Sequence, residues 1–294
     1  GLGTELIFPE GGEVNYVTPC DSVEAGIAFV EQEVDFAQAG MAPFYIDYKA
    51  TLEEAFPGER CGFSYGHEGP LTTAYILLGE RAFVAVYDQP EQFKVFLEKL
   101  VENTIEFAKF RANVMGQEFP SSSGSGMVDD LASIYAPSCW PEFVVPYQNA
   151  YYRGITTGPR SAHIEDLKPD HLPYLEDLEL TRFDPSISRH LSPPDLRDRC
   201  RVAFGWRLGS FHYRALSCQD ITDWVYQAVA DGASSVFTYV ADGMCNEETV
   251  PKVHAFIEAA KEAERMLTSG CARADVGECV SPEGQSKFWD HWPE

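Results

Sequence analysis

The chain is short of basic residues: 22 lysines and arginines stand against 46 aspartates and glutamates, for a formal charge of −24, and none of the 22 precedes Lys49. A surface this acidic repels phosphates and anionic headgroups, which argues against nucleic acid and membrane surfaces as partners. Long apolar runs are also missing. No stretch approaches the roughly 18 uninterrupted apolar residues of a membrane span. The eight cysteines, at 20, 61, 139, 200, 218, 245, 271 and 279, show no close pairing. A domain of this size does not need disulfide staples, so they read as reduced thiols of a cytoplasmic protein. Cys271 and Cys279 are eight apart, which is no standard metal spacing. There is no internal repeat and no basic segment followed by an apolar one as in a secretion signal. The chain opens Gly-Leu-Gly, and the reading is of a fold with a missing or shortened N-terminal segment.

What the chain does have is enough apolar material for a large core, with 45% hydrophobic and 13% aromatic residues over 294 positions. That length suits one α/β barrel. Helical periodicity is clearest from Pro90 to about Met115, with Phe93, Phe96, Leu97, Leu100, Val101, Ile105 and Ala108 on one face, Asp88 and Glu91 as a start signal and Gly116 as a stop. Further helices are expected at about 22 to 38, 141 to 154, 220 to 231 and 249 to 267. Between them, short segments rich in β-branched or aromatic residues predict strands at 62 to 65, 126 to 129, 160 to 164, 178 to 183, 202 to 207 and 234 to 240. Alternation of this kind implies βαβ units and a parallel sheet. The expected architecture is an α/β, TIM-type (β/α)8 barrel over residues 1–268, followed by a C-terminal tail, 269–294, that carries Trp289 and Trp292.

Several expected strands end in chemically capable groups: His67 and Glu68, Asp129 and Asp130, His163 and Glu165, Asp184, Arg207, then Asp242 and Cys245. In a barrel such ends converge on the face that holds the active site. His163 and Glu165 are two apart, and on a strand residues i and i+2 point to one side. An imidazole and a carboxylate aimed into one pocket are zinc donors, and Cys245 is a candidate third ligand, which would leave a fourth position open for chemistry. Taken one at a time, each of these residues is as readily a cap or a loop residue.

Gly69-Pro70-Leu71-Thr72-Thr73-Ala74 with Leu78-Gly79, Asp88-Gln89-Pro90-Glu91, Asp129-Asp130, Pro137 through Phe143 to Pro146-Tyr147, His163-Ile164-Glu165, and Cys245 before a helix resemble, in order and spacing, successive landmarks of the uroporphyrinogen decarboxylase superfamily. The resemblance spans roughly residues 60 to 265. It implies a TIM-type barrel and either a decarboxylase or a zinc-dependent methyltransferase that works with a corrinoid protein. The decarboxylase branch carries an arginine-rich N-terminal segment that this chain does not match. In the methyltransferase branch the matching positions are commonly His-x-Cys with a later Cys, so the resemblance implies Zn2+ held by His163, Glu165 and Cys245, with Glu165 as the departure. A carboxylate in place of a thiolate makes the metal a stronger Lewis acid.

The expectation is therefore a methyltransferase that moves a methyl group between a small methylated substrate or thiol and a corrinoid carried by a partner protein, with a homodimer as one assembly it allows. Asp129 or Asp130 would position substrate. Tyr65, His67, Trp140, Tyr147, Trp206 and Tyr239 are candidates for the pocket wall. The alternatives are a decarboxylase of a carboxylated ring compound, with Asp130 stabilising a cationic intermediate, and a non-catalytic ligand-binding member of the fold.

Overall fold

The structure is a computed structural model and describes residues 4–12, 14–63 and 66–285. It is a mixed α/β chain. In order, the elements are β1 (Leu6–Ile7), β2 (Asn15–Tyr16), α1 (Val23–Val30), α2 (Ala42–Ala55), α3 (Pro70–Leu78), α4 (Arg81–Asp88), α5 (Pro90–Met115), β3 (Ser125–Val128), α6 (Val145–Ile155), β4 (Arg160–His163), α7 (Tyr174–Asp177), β5 (Arg182–Asp184), α8 (Pro193–Arg199), β6 (Ala203–Leu208), α9 (Cys218–Ala230), β7 (Ser235–Thr238), α10 (Thr249–Thr268), α11 (Arg273–Gly277) and α12 (Pro282–Gln285). β1 and β2 form a small antiparallel hairpin, and the remaining strands hydrogen-bond in the order β3-β4-β5-β6-β7. β5, β6 and β7 pair in parallel, with Phe183 opposite Phe204 and Trp206 opposite Val236. The chain divides into two compact units, residues 1–162 with 177–179, and residues 163–176 with 180–294.

The first unit is built on α5. Phe93, Phe96, Leu97 and Leu100, spaced as the helical period requires, are buried, and each such side chain contributes about 1.5–3 kcal/mol of burial. The helix ends where expected. Gly116 adopts φ 61°, a left-handed conformation that favours glycine, and its N–H caps the carbonyls of Ala112 and Asn113. The start differs from expectation, because Asp88 belongs to α4 and α5 opens on Gln89 and Pro90 without a side-chain cap. α1 is also shorter than the expected 22 to 38. Past Val30 the acidic run 31 to 35 leaves the helix, and the Asp35 carboxylate turns the backbone by accepting the Ala37 N–H. Before α6, Trp140–Val144 forms a wide π turn, since Pro146 has no N–H to close the regular ladder.

The second unit packs α9 against α10, with Ile221, Trp224 and Val225 buried. Residues after 268 join this core: Val276 packs with Val229 and Ala263, and Arg273 Nη1 donates to the Ala233 carbonyl at 2.8 Å. The Asp223 carboxylate, wholly buried on α9, accepts from the Ser281 N–H at 3.0 Å and from its hydroxyl. Among the described residues no helix is long and apolar enough to cross a membrane.

Candidate metal centre

β4 ends at His163 and β5 ends at Asp184, and the Ile164 N–H donates to the Asp184 carbonyl at 3.2 Å, which keeps the two strand ends together. The side chains follow. Nδ1 of His163 lies 2.8 Å from Oδ2 of Asp184, and Nε2 lies 3.4 Å from Oε1 of Glu165. The first distance is a charge-assisted hydrogen bond, with Nδ1–H donating. The second is longer than the usual N–H···O bond. It matches two donors of a tetrahedral zinc site, which at bond lengths near 2.1 Å stand about 3.4 Å apart.

Asp184 is itself held. Its Oδ1 accepts the Ser186 N–H at 2.8 Å, and Arg207 Nη1 donates to the Ser186 hydroxyl at 3.4 Å. Burial raises its pKa, but the bonds from His163 and Ser186 and the nearby charges of His163 and Arg207 outweigh this, so the carboxyl stays below its ordinary range. Ser186 and Asp166 take φ values of 57° and 55°, an unusual conformation for non-glycine residues, each just past a carboxylate of the site. The side chains remain reachable, at 24% exposure for His163 and 44% for Glu165. Cys245 is exposed at the end of the turn Asp242–Met244.

Asp129 and Asp130 are neighbours in different surroundings. Asp129 is wholly buried beneath the start of α3, where its carboxylate accepts from the N–H groups of Thr72 at 2.7 Å and Leu71 at 3.3 Å and from the Gln148 amide at 2.8 Å. Burial pushes its pKa up to about 6 against the pull of these bonds. The Thr72 hydroxyl in turn accepts the Leu131 N–H at 3.1 Å, so the backbone on both sides of Asp130 is tied to one helix turn. Gly69 allows this approach, since a Cβ there would come within 2.5 Å of the Asp129 side chain.

The expected wall residues scatter. His67 lines a cavity of the first unit together with Tyr151. Trp140 and Trp206 are buried, the first completely, Tyr147 is half-buried, and Tyr239 is 61% exposed. Tyr65 lies outside the described residues. Asp184 and Arg207 had a sequence signal as strand ends, but nothing in the sequence pairs Asp184 with His163. Arg111 and Tyr151, which bond to His67, sit within helices and carry no such signal.

Fold and site together define an α/β protein with an imidazole–carboxylate set suited to a divalent metal. No protein-family model and no curated protein sequence matches the chain. Among solved structures it is similar to a methyltransferase from Methanosarcina mazei, with a TM-score of 0.64 at 16% identity over 89% of this chain and 76% of that one. At this identity the likeness establishes the fold.

Proposed function

We propose that the chain is a zinc-dependent methyltransferase with a TIM-type barrel, which moves a methyl group between a small methylated substrate or thiol and a corrinoid carried by a separate protein. The observation that carries this reading is the anchored imidazole, with Nδ1 of His163 bonded to Asp184 at 2.8 Å and Nε2 set 3.4 Å from Glu165. The likeness to a methyltransferase supports it at the level of fold.

His163 and Glu165 are donors that would hold zinc. They fit, because zinc takes imidazole nitrogen and carboxylate oxygen, and a carboxylate on the far ring nitrogen is the usual support of a metal-binding histidine. Bound there with one position open, zinc would supply a Lewis acid able to polarise a substrate heteroatom or lower the pKa of a thiol. The chain's own residues prepare that. Asp184 keeps the proton on Nδ1 and leaves the Nε2 lone pair available, and Ser186 and Arg207 keep Asp184 ionised. Two protein carboxylates beside one imidazole bias the site toward a cation, which the −24 charge of the chain reinforces.

Elemental analysis with a methyl-transfer assay to cob(I)alamin tests the proposal. Wild-type protein is expected to carry about one zinc per chain. His163→Ala, checked for folding by circular dichroism, is expected to lose both the metal and the transfer. Full transfer activity in metal-free wild type, or undiminished zinc in the variant, overturns the reading.

A further inference from the structure

Some guanidinium groups of this acidic chain pair with a carboxylate: Arg160 with Glu179, Arg197 with Asp198, Arg199 with Asp170 and Arg265 with Glu262. Arg111, near the end of α5, pairs with none of the described residues' carboxylates. Its Nη1 donates to Nδ1 of His67 at 3.4 Å, and its buried Nε–H has no partner among the described residues. Arginine can only donate, so Nδ1 of His67 accepts, and the imidazole proton is on Nε2, donating to the Tyr151 hydroxyl at 2.7 Å. His67 is therefore neutral. Burial, then the charge of Arg111, pushes its pKa down to about 4. Among the described residues the half-buried positive charge of Arg111 has no counter-charge, an arrangement that costs free energy until an anion arrives.

Arg111, His67 and Tyr151 line one cavity of about 540 Å3 in the first unit, a size typical of small-molecule sites. The exposed Arg60 also lines it. So do Ser121 and Ser123, whose hydroxyls stand 3.1 Å apart. Glu118 is the carboxylate among the lining residues, and it is engaged by the N–H and hydroxyl of Ser122. Much of the remaining wall is apolar, with Ala108, Met115, Phe119 and Ile155.

The geometry points to a binding site for a small organic carboxylate, with its charged end on Arg111, Arg60 beside it, and its apolar body against Met115 and Phe119. A planar guanidinium matches a carboxylate with two parallel bonds. One buried cation balances a monoanion, whereas a doubly charged phosphate would leave excess negative charge in an acidic protein. The site is independent of the metal reading, since none of its residues is a proposed zinc donor.

Calorimetric titration of the whole chain with benzoate, and separately with inorganic phosphate, tests the assignment. Benzoate is expected to bind saturably at one site. Its affinity is expected to fall about tenfold or more in Arg111→Met, as for loss of a charge-assisted bond pair, and less in Arg60→Ala. Absence of benzoate binding, equal binding to Arg111→Met, or tighter binding of phosphate than benzoate overturns it. Should Arg111→Met not fold, crystals soaked in 4-bromobenzoate decide by anomalous scattering: bromine in the cavity beside Arg111 supports the site, and bromine elsewhere or nowhere overturns it.

Discussion

Two histidines of this chain have opposite surroundings. In the first unit, His67 faces an arginine at one ring nitrogen and a tyrosine hydroxyl at the other. In the second, His163 faces Asp184 at one and Glu165 at the other. The cation beside His67 forces Nδ1 to accept and keeps the ring neutral, which turns it into a fixed polar link in a cavity wall. The carboxylate beside His163 forces Nδ1 to donate and leaves the lone pair of Nε2 toward a second carboxylate, an arrangement suited to a cation. Both follow a strand-like segment in the sequence, so the residue type and its local position do not separate a metal ligand from a wall residue. The charge of the group on Nδ1 does.

The largest effect expected from this contrast is on acid stability. Because the folded pKa of His67, about 4, lies below the ordinary 6.5, its contribution is fully present above pH 6.5 and is lost as pH falls through 4. The loss is on the order of 3 kcal/mol. His67→Gln keeps a polar side chain but does not titrate. Urea denaturation at pH 7 and pH 4 is expected to show a smaller loss in the variant than in wild type by about that amount, and equal losses would break the contrast on the His67 side.

A smaller effect is expected at Asp184. Asparagine there still accepts from Nδ1 but carries no charge, so Asp184→Asn should weaken zinc binding by about tenfold, the usual scale for a residue that supports a metal ligand. Competition against a chromophoric chelator reads this directly. Unchanged affinity would mean that orientation alone, without the carboxylate's charge, prepares the imidazole.

The parts of the fold legible in the sequence were those governed by local periodicity and local chemistry. α5 and its glycine stop, α9, α10 and the strands from β3 to β7 follow from apolar spacing and β-branched runs. Helices α2, α3 and α4 were missed, as were the short α7, α8, α11 and α12. α2 buries only Ala42 fully, so its apolar residues mark no clear face. α4 is eight residues long and ends directly before Pro90, so its pattern merges with that of α5. At the site, His163 and Glu165 do meet at 3.4 Å, but β4 ends at His163 and Glu165 sits in the turn beyond it, so the turn and not the strand pleat brings them together. Pairing His163 with Asp184 needs the register of two separate strands, and the bond of Arg111 to His67 needs a helix set against a loop 44 residues away. Such information is carried by packing.

The smallest effect is expected at Cys245, and it bears on which residue completes the His163 side of the contrast. The resemblance pointed to Cys245 as a zinc donor, while the donor found beside Nε2 of His163 is Glu165, 3.4 Å away. Cys245 is exposed, and the Asn246 side chain beside it accepts the N–H groups of Glu248 and Thr249 at the start of α10, so the cysteine sits on a turn organised by its neighbour. Serine is nearly isosteric with cysteine but a poor zinc ligand, and glutamine keeps the shape of glutamate without its charge. Cys245→Ser is therefore expected to leave zinc content within about 10% of wild type, and Glu165→Gln to lower zinc affinity by more than about tenfold. The reverse result, zinc lost with Cys245 and kept without the Glu165 charge, would make the cysteine a ligand and require the turn at Asp242–Met244 to close over the imidazole when metal binds.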